Sequence, residues 1–260
     1  MVTVPPPELA GEAADWERAL RRVGTAARAA TEKAYLKSDL DFAGAGVPAI
    51  RAIVARWLKK RPELQHDQVT GLVTALWDSP LYECRAVAVV LLERTSGLLG
   101  PADLDLIERL LRTARTWALV DGLAMNVVGD IIERRPEVAD TLDRWAADEN
   151  FWLRRSAILA LLKPLRAGGG DFERFARYAD AMLANKEFFI RKAIGWVLRE
   201  VAKGRPDLVA AWLAPRVHRA SGVTVREAIK PLPDAVRRTL LSGYRDKRPA
   251  RCDHETSGHD

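Results

Sequence analysis

The chain has 260 residues, 48% of them hydrophobic, enough to bury a sizeable core in one elongated domain or two compact ones. Its 41 Lys and Arg against 35 Asp and Glu give a net charge of +6, which leaves a nucleic-acid partner and an ordinary solvated surface equally open. Two cysteines, Cys84 and Cys252, exclude a disulfide framework, and no apolar run reaches the about 18 residues of a membrane span. The N-terminus lacks the basic and apolar regions of a signal peptide. We therefore expect a soluble, cytoplasmic monomer without a membrane partner.

Taken in chain order, the sequence predicts helices and no strands. Ala, Leu, Arg and Glu dominate, prolines stand at helix starts, and apolar residues recur at steps of three and four. The predicted helices cover residues 8–22, 26–37, 47–60, 66–77, 81–94, 101–114, 117–134, 136–147, 150–163, 171–185, 187–203, 206–219, 222–230 and 233–243. We expect a flexible N-terminus over 1–7, one repeat domain over 8–243, and a disordered polar tail over 244–260.

The helices recur in pairs, which is typical of solenoids of the HEAT, armadillo or tetratricopeptide kind. One position repeats every 34–36 residues and carries arginine five times and aspartate once. We call this set the arginine column: Arg51, Arg85, Asp121, Arg155, Arg191 and Arg226. Because stacked repeats present equivalent positions on one side, the column predicts a superhelical solenoid with a concave basic groove. The alternative is that each arginine bonds an acid or carbonyl of its neighbour and stiffens the stack.

Asp121 is the acid in the arginine column, and Trp117 lies one helical turn before it, on the same helix face. Two more tryptophans, Trp152 and Trp196, stand near the column and could stack on bases. Periodicity alone leaves two interpretations of Asp121 open: chemistry on a bound polyanion, or an ion pair with Arg155 or Arg85. The remaining tryptophans are expected to be mostly core residues: Trp16, Trp57, Trp77, Trp145 and Trp212.

Four blocks resemble the DNA alkylation repair enzymes of the AlkD type, in the same order and with similar spacing. The resemblance runs from about residue 10 to 243 and is most specific in the block around Trp196. The blocks are Lys186 to Glu200 (KEFFIRKAIGWVLRE), Asn150 to Ile158 (NFWLRRSAI), Ala75 to Pro80 (ALWDSP) and Ser221 to Lys230 (SGVTVREAIK).

The resemblance implies an all-α fold of HEAT-like repeats. It also implies a monofunctional DNA glycosylase that releases cationic N-alkylated purines, such as 3-methyladenine and 7-methylguanine, from duplex DNA. Matching position by position, it places Trp117, Asp121, Arg155 and Trp196 in the active site and Tyr35 as an aromatic near the lesion. Expected DNA contacts are Tyr35, Arg51, Arg85, Trp152, Arg154, Arg191, Lys192 and Arg226.

Metal and cofactor chemistry has little support in the sequence. His254 and His259 lie in the polar tail at a spacing that does not fit a zinc-protease motif, and nucleotide-binding and serine-elbow motifs are lacking. We therefore expect no cofactor and no metal. The competing functions are a helical-repeat scaffold for protein partners and a nucleic-acid binder without catalysis.

Overall fold

The computed structural model describes residues 6–245. Within that range all regular structure is helical, apart from one isolated bridge between Asp41 and Leu81. The prediction of an all-α fold is therefore confirmed for these residues. The predicted tail from residue 246 onward, with Cys252, His254 and His259, lies outside the described residues, as do residues 1–5 of the predicted flexible N-terminus.

By its contacts the chain divides into two compact units, Met1–Lys163 and Pro164–Asp260. The α-helices of the first unit are α1 (Pro7–Val23), α2 (Ala26–Leu36), α3 (Val47–Lys59), α4 (His66–Trp77), α5 (Tyr82–Arg94), α6 (Leu104–Arg112), α7 (Trp117–Gly122), α8 (Gly129–Arg134), α9 (Asp140–Ala146) and α10 (Phe151–Ala160). Helix α11 (Leu162–Arg166) contains the unit boundary. The second unit continues with α12 (Phe172–Met182), α13 (Phe188–Ala202), α14 (Pro206–Leu213), α15 (Gly222–Ala228) and α16 (Asp234–Arg245).

Each predicted helical segment contains an observed helix, although several helices end earlier than predicted and α11 extends past the predicted segment 150–163. Some turns are also wound differently. Short 3-10 turns at Pro101–Asp103, Pro136–Val138 and Ala214–Arg216 replace α-helix at the ends of three predicted segments. Proline stands at the first or second position of each of these turns. A backbone N–H at these positions has no acceptor within the turn, so its absence in proline costs no hydrogen bond. The predicted helix over 117–134 is continuous but changes to a π-helix over Leu123–Val128.

The core of the first unit forms where α4 packs on α1 and α5, and where α10 packs on α7 and α9. Leu72, Leu91 and Trp145 there are wholly buried. The five tryptophans expected in the core are all buried in their own units, as predicted. No described helix is both long and apolar enough to cross a membrane.

A buried acid fixes the loop between α2 and α3. The Glu83 carboxylate accepts hydrogen bonds from the backbone N–H groups of Ala43, Gly44 and Ala45, at 3.1, 2.6 and 3.1 Å. Gly44 has φ of 78°, and a Cβ there would lie 2.2 Å from the Thr25 carbonyl oxygen, so only glycine fits. The backbone bridge between Asp41 and Leu81 holds the same loop. This loop directly follows α2, the helix that ends with Tyr35 and Leu36, so it is anchored where the chain leaves that helix.

Candidate functional site

Asp121 and Arg155 form a buried ion pair between α7 and α10. Arg155 donates from Nε to Oδ1 at 2.7 Å and from Nη2 to Oδ2 at 2.8 Å, the parallel two-bond geometry that matches a guanidinium to a carboxylate. Asp121 and Arg155 leave only 7% and 3% of their surfaces exposed. Of the two ion-pair partners that the sequence left open for Asp121, the structure therefore selects Arg155.

Burial and the guanidinium act on the Asp121 carboxyl in opposite directions. Loss of hydration raises the pKa of Asp121 above its ordinary value, while the bonds and charge of Arg155 oppose the rise. A carboxylate offers about four lone-pair directions, and the two bonds from Arg155 occupy two of them. The remaining lone pairs of Asp121 leave it able to bind water or to face positive charge.

Trp117 is the first residue of α7 and is half-buried, and Asp121 follows it one turn later on the same face. The Trp117 ring meets the Tyr35 ring of α2 edge to face, with ring centres 5.7 Å apart and planes at 80°. Tyr35 itself is 69% exposed, so the pair forms an aromatic edge that solvent reaches on one side. The structure thus brings Tyr35 to Trp117 and Arg155 to Asp121.

The helix that carries Asp121 changes its winding directly after the site. Asp121 and Gly122 end the α-helical turns of α7, and the π-helix Leu123–Val128 follows without a break. Single π-turns inside helices are frequent at functional sites because the wider turn shifts the side chains that flank it. At Gly122 a Cβ would lie 2.6 Å from Cγ1 of Val89, so glycine permits the close approach of α7 to α5.

Two members of the arginine column bond to carbonyls: Arg85 reaches the next repeat, as in the alternative that the sequence left open, whereas Arg191 bonds within its own repeat. The Nε of Arg85 donates to Ser79 O at 3.1 Å, and the Nε of Arg191 donates to Asn185 O at 2.6 Å, six residues back in both cases. Arg85 also donates to Thr113 O at 2.7 Å, and burial lowers its pKa. These arginines fix the turn that precedes their own helix.

The other predicted DNA contacts have different surroundings. Arg51 on α3 and Arg226 on α15 are exposed, whereas Trp152 is buried against Phe151, at 4.2 Å between ring centres. Arg154 donates to the carbonyls of Asp148 and Glu149, and Lys192 pairs with Glu227 at 2.5 Å. Exposure therefore favours Arg51 and Arg226 as phosphate contacts, and the rest of the predicted contact set stays a prediction.

The second unit carries the remaining predicted active-site residue, Trp196. It lies half-buried on α13, whose Arg191 and Lys192 are one turn earlier. Helix α13 packs on α14 and α15 within that unit. Its role at the site stays a prediction.

Sequence reasoning missed the turn that leads into α7. Arg115 there has φ of 59°, and the buried Thr116 donates from Oγ1 to Leu36 O at 3.3 Å. No sequence signal marks either residue, because left-handed backbone is usually supplied by Gly, Asn or Asp. Among the described residues, no group of three or more His, Cys, Asp or Glu side chains is arranged to hold a metal ion.

Comparison with known proteins gives matches for most of the chain. A family model described as DNA alkylation repair enzyme matches residues 16–232. A predicted DNA alkylation repair enzyme from Enterococcus faecalis has a similar structure, with a TM-score of 0.74 and 24% identity over 81% of this chain and 97% of that chain. AlkD2 from Streptococcus mutans aligns with a TM-score of 0.62 and 17% identity over 86% of this chain and 99% of its own. No curated protein matches the sequence.

Proposed function

Because this chain belongs to the family of DNA alkylation repair enzymes, we propose that it is a monofunctional DNA glycosylase acting on cationic N-alkylated purines in duplex DNA. The proposed reaction is hydrolysis of the N-glycosidic bond of 3-methyladenine, 7-methylguanine and related lesions. The observation that carries the proposal is the buried Asp121 carboxylate, held by two bonds from Arg155 and placed one helical turn after Trp117.

A purine that carries a formal positive charge leaves as a neutral base, so its departure needs no acid to protonate it. The difficult part of the reaction is the positive charge that develops on the sugar as the bond to the base breaks. A fixed carboxylate beside that charge stabilises it, and the stabilisation is larger where water is excluded. This chemistry asks for one buried acid and no metal or cofactor.

Asp121 is proposed as the residue that faces the sugar cation and orients the attacking water. Arg155 holds both carboxylate oxygens, which fixes their orientation before the DNA arrives. The raised pKa of Asp121 comes from the same burial that strengthens its effect on a nearby cation. Because Arg155 is 3% exposed and bonded to Asp121, in this proposal it acts by orienting the carboxylate, and phosphate contacts are left to exposed arginines.

The aromatic residues are proposed to contact the lesion nucleotide and to exclude water from it. Ring faces attract cations by about 0.5–2 kcal/mol, which favours both the cationic base and the cationic sugar. Trp117 and Tyr35 form one such surface, and Trp196 is proposed as a second. Exposed Arg51 and Arg226 would bind phosphates without sequence preference, so affinity should fall steeply with salt.

The decisive experiment incubates the purified protein with methylated duplex DNA and detects the free bases. Asp121→Asn keeps the shape of the side chain but removes its charge. We expect release of 3-methyladenine and 7-methylguanine to fall about 100-fold or more, the scale for removing one electrostatic stabiliser, with duplex binding largely retained.

Asp130→Asn is the matched control, since Asp130 is an acid of the following helix α8 that pairs with exposed Arg134 at 3.3 Å. Its release rate should equal that of the wild type. Equal release by Asp121→Asn and wild type would remove Asp121 from the mechanism. Tight duplex binding with no release by the wild type would instead support a DNA binder without catalysis.

A further inference from the structure

Among the described residues, two non-glycine residues adopt a left-handed backbone, and both lie at the contact between α2 and the turn before α7. Lys37, with φ of 49°, ends α2, and Arg115, with φ of 59°, precedes Thr116 and Trp117. A left-handed conformation costs about 1–2 kcal/mol at a residue with a side chain, so the surrounding contacts must hold it in place. Two such residues at one junction indicate that the surrounding contacts fix the backbone geometry there.

Two contacts hold the two sides of this junction together, and a third, from α5, fixes the turn itself. Thr116 is 1% exposed and its Oγ1 donates to Leu36 O at 3.3 Å, and Arg115 pairs with Asp39 at 2.8 Å on the surface. Arg85 fixes the start of the same turn through Thr113 O. The surface pair contributes little because solvent screens it, so the buried Thr116 bond is the stronger constraint.

The bonded residues are the direct chain neighbours of the two aromatic residues of the site. Leu36 follows Tyr35, and Thr116 precedes Trp117. A change in the distance between Leu36 and Thr116 therefore changes the separation of the two rings, which meet at 5.7 Å. Leu36 O belongs to the last turn of α2, where carbonyls have no partner within the helix, so Thr116 supplies the missing donor.

We propose that Thr116 is a positioning residue: its bond to Leu36 O sets the Tyr35–Trp117 separation and thereby the aromatic surface offered to the lesion. The catalytic part of this inference rests on the proposed glycosylase function. The structural part, that the hydroxyl of Thr116 fixes the two rings, stands without it.

The test uses Thr116→Val, which keeps the shape but removes the donor, and Thr116→Ser, which restores it. Thr95→Val is the matched control, because Thr95, which directly follows α5, is also buried and donates to a backbone carbonyl, that of Leu91 in α5. The first readout is fluorine NMR of protein containing 3-fluorotyrosine at its four tyrosines, with the Tyr35 signal assigned by Tyr35→Phe.

Trp117→Leu shows how far the Tyr35 signal moves when the indole ring is lost. We expect Thr116→Val to move the signal in the same direction, and Thr116→Ser and Thr95→Val to leave it at the wild-type position. A wild-type signal in Thr116→Val overturns the proposal, whatever the activity.

The second readout is base release from methylated duplex DNA at saturating enzyme. We expect Thr116→Val to release 7-methylguanine about tenfold more slowly, within the range for a misplaced contact group, with recovery in Thr116→Ser. A moved signal with an unchanged release rate overturns the catalytic part. A moved signal in a protein whose wild type releases no base refutes the proposed function and leaves the positioning of the rings established.

Discussion

Asp121 in the first unit and Glu227 in the second each leave 7% of their surface exposed, yet their pKa values move in opposite directions. Burial raises the pKa of Asp121, which has Arg155 as a two-bond partner. Burial also acts to raise the pKa of Glu227, but bonds from Lys192 and Lys230 overcome it and lower the pKa to about 2. Arg199 adds a third cation at 2.6 Å.

The difference shows that burial alone does not decide what a carboxylate does. Glu227 receives several cations whose side chains reach solvent, which is the arrangement of a structural anchor joining α13 and α15. Asp121 receives one guanidinium that is itself buried, so its charge is costly and poorly screened. A costly, oriented charge is what stabilising a cationic transition state requires.

Removal of Arg155 should have the largest effect on stability. Arg155→Met leaves Asp121 buried without its guanidinium, and breaking a buried pair in this way costs about 3–5 kcal/mol of unfolding free energy at pH 7. Urea unfolding measures the loss. Arg144→Met, at an exposed arginine paired with Glu108, is the control and should cost no more than about 1 kcal/mol. A loss from Arg155→Met as small as the control's would mean that the pair is solvated.

The pH dependence of stability should separate the two acids. Between pH 4.5 and about 2, folded Glu227 stays ionised while the unfolded carboxyl becomes protonated. The stability that Glu227 contributes is therefore lost as pH falls through this window. For Asp121 the folded pKa lies above its ordinary value of 3.8, so the stability that Asp121 contributes decreases as pH rises from 3.8 toward the raised value.

The measurement is urea unfolding of wild type, Glu227→Gln and Asp121→Asn at a series of pH values. The advantage of wild type over Glu227→Gln should shrink as the solution is acidified. The advantage over Asp121→Asn should shrink as pH increases. If both differences changed in the same direction with pH, the two acids would contribute to stability in the same way.

The smallest effect is expected from one exposed cation of the Glu227 cluster. Lys230 pairs with Glu227 at 2.9 Å, and its side chain is 55% exposed. Since Lys192 and Arg199 remain, Lys230→Met should lower the unfolding free energy by at most about 1 kcal/mol, and less at high salt. A loss of several kcal/mol, measured in the same way, would mean that the cluster depends on each cation as Asp121 depends on Arg155.

Much of the fold was predictable because helices leave local signals. Prolines mark the starts of α3 and α14, and the three- and four-residue periodicity places the apolar faces. The π-helix after Gly122 was not predictable, because it is a shift in backbone hydrogen bonding that leaves the apolar periodicity unchanged.

The sequence named Asp121, Arg155, Trp117 and Tyr35 as candidates, and only the structure showed which of them meet. Repeat spacing put Asp121, Arg85 and Arg155 at equivalent positions and could not choose the partner of the acid. Arg85 is occupied by the carbonyls of Ser79 and Thr113, so its guanidinium is already committed, while Arg155 reaches Asp121. That choice depends on where turns distant in sequence come together.

By itself, the sequence determined the all-α fold, the 34–36-residue spacing of the arginine column, and the place of Trp117 and Asp121 on one helix face. These features follow from local backbone preference and helical geometry. Only the tertiary structure decided that Asp121 is buried against Arg155, that Tyr35 meets Trp117, and that Thr116 joins their two helices. Desolvation and hydrogen-bond direction depend on groups 34 to 82 residues apart in the chain, and no local pattern encodes their final distances.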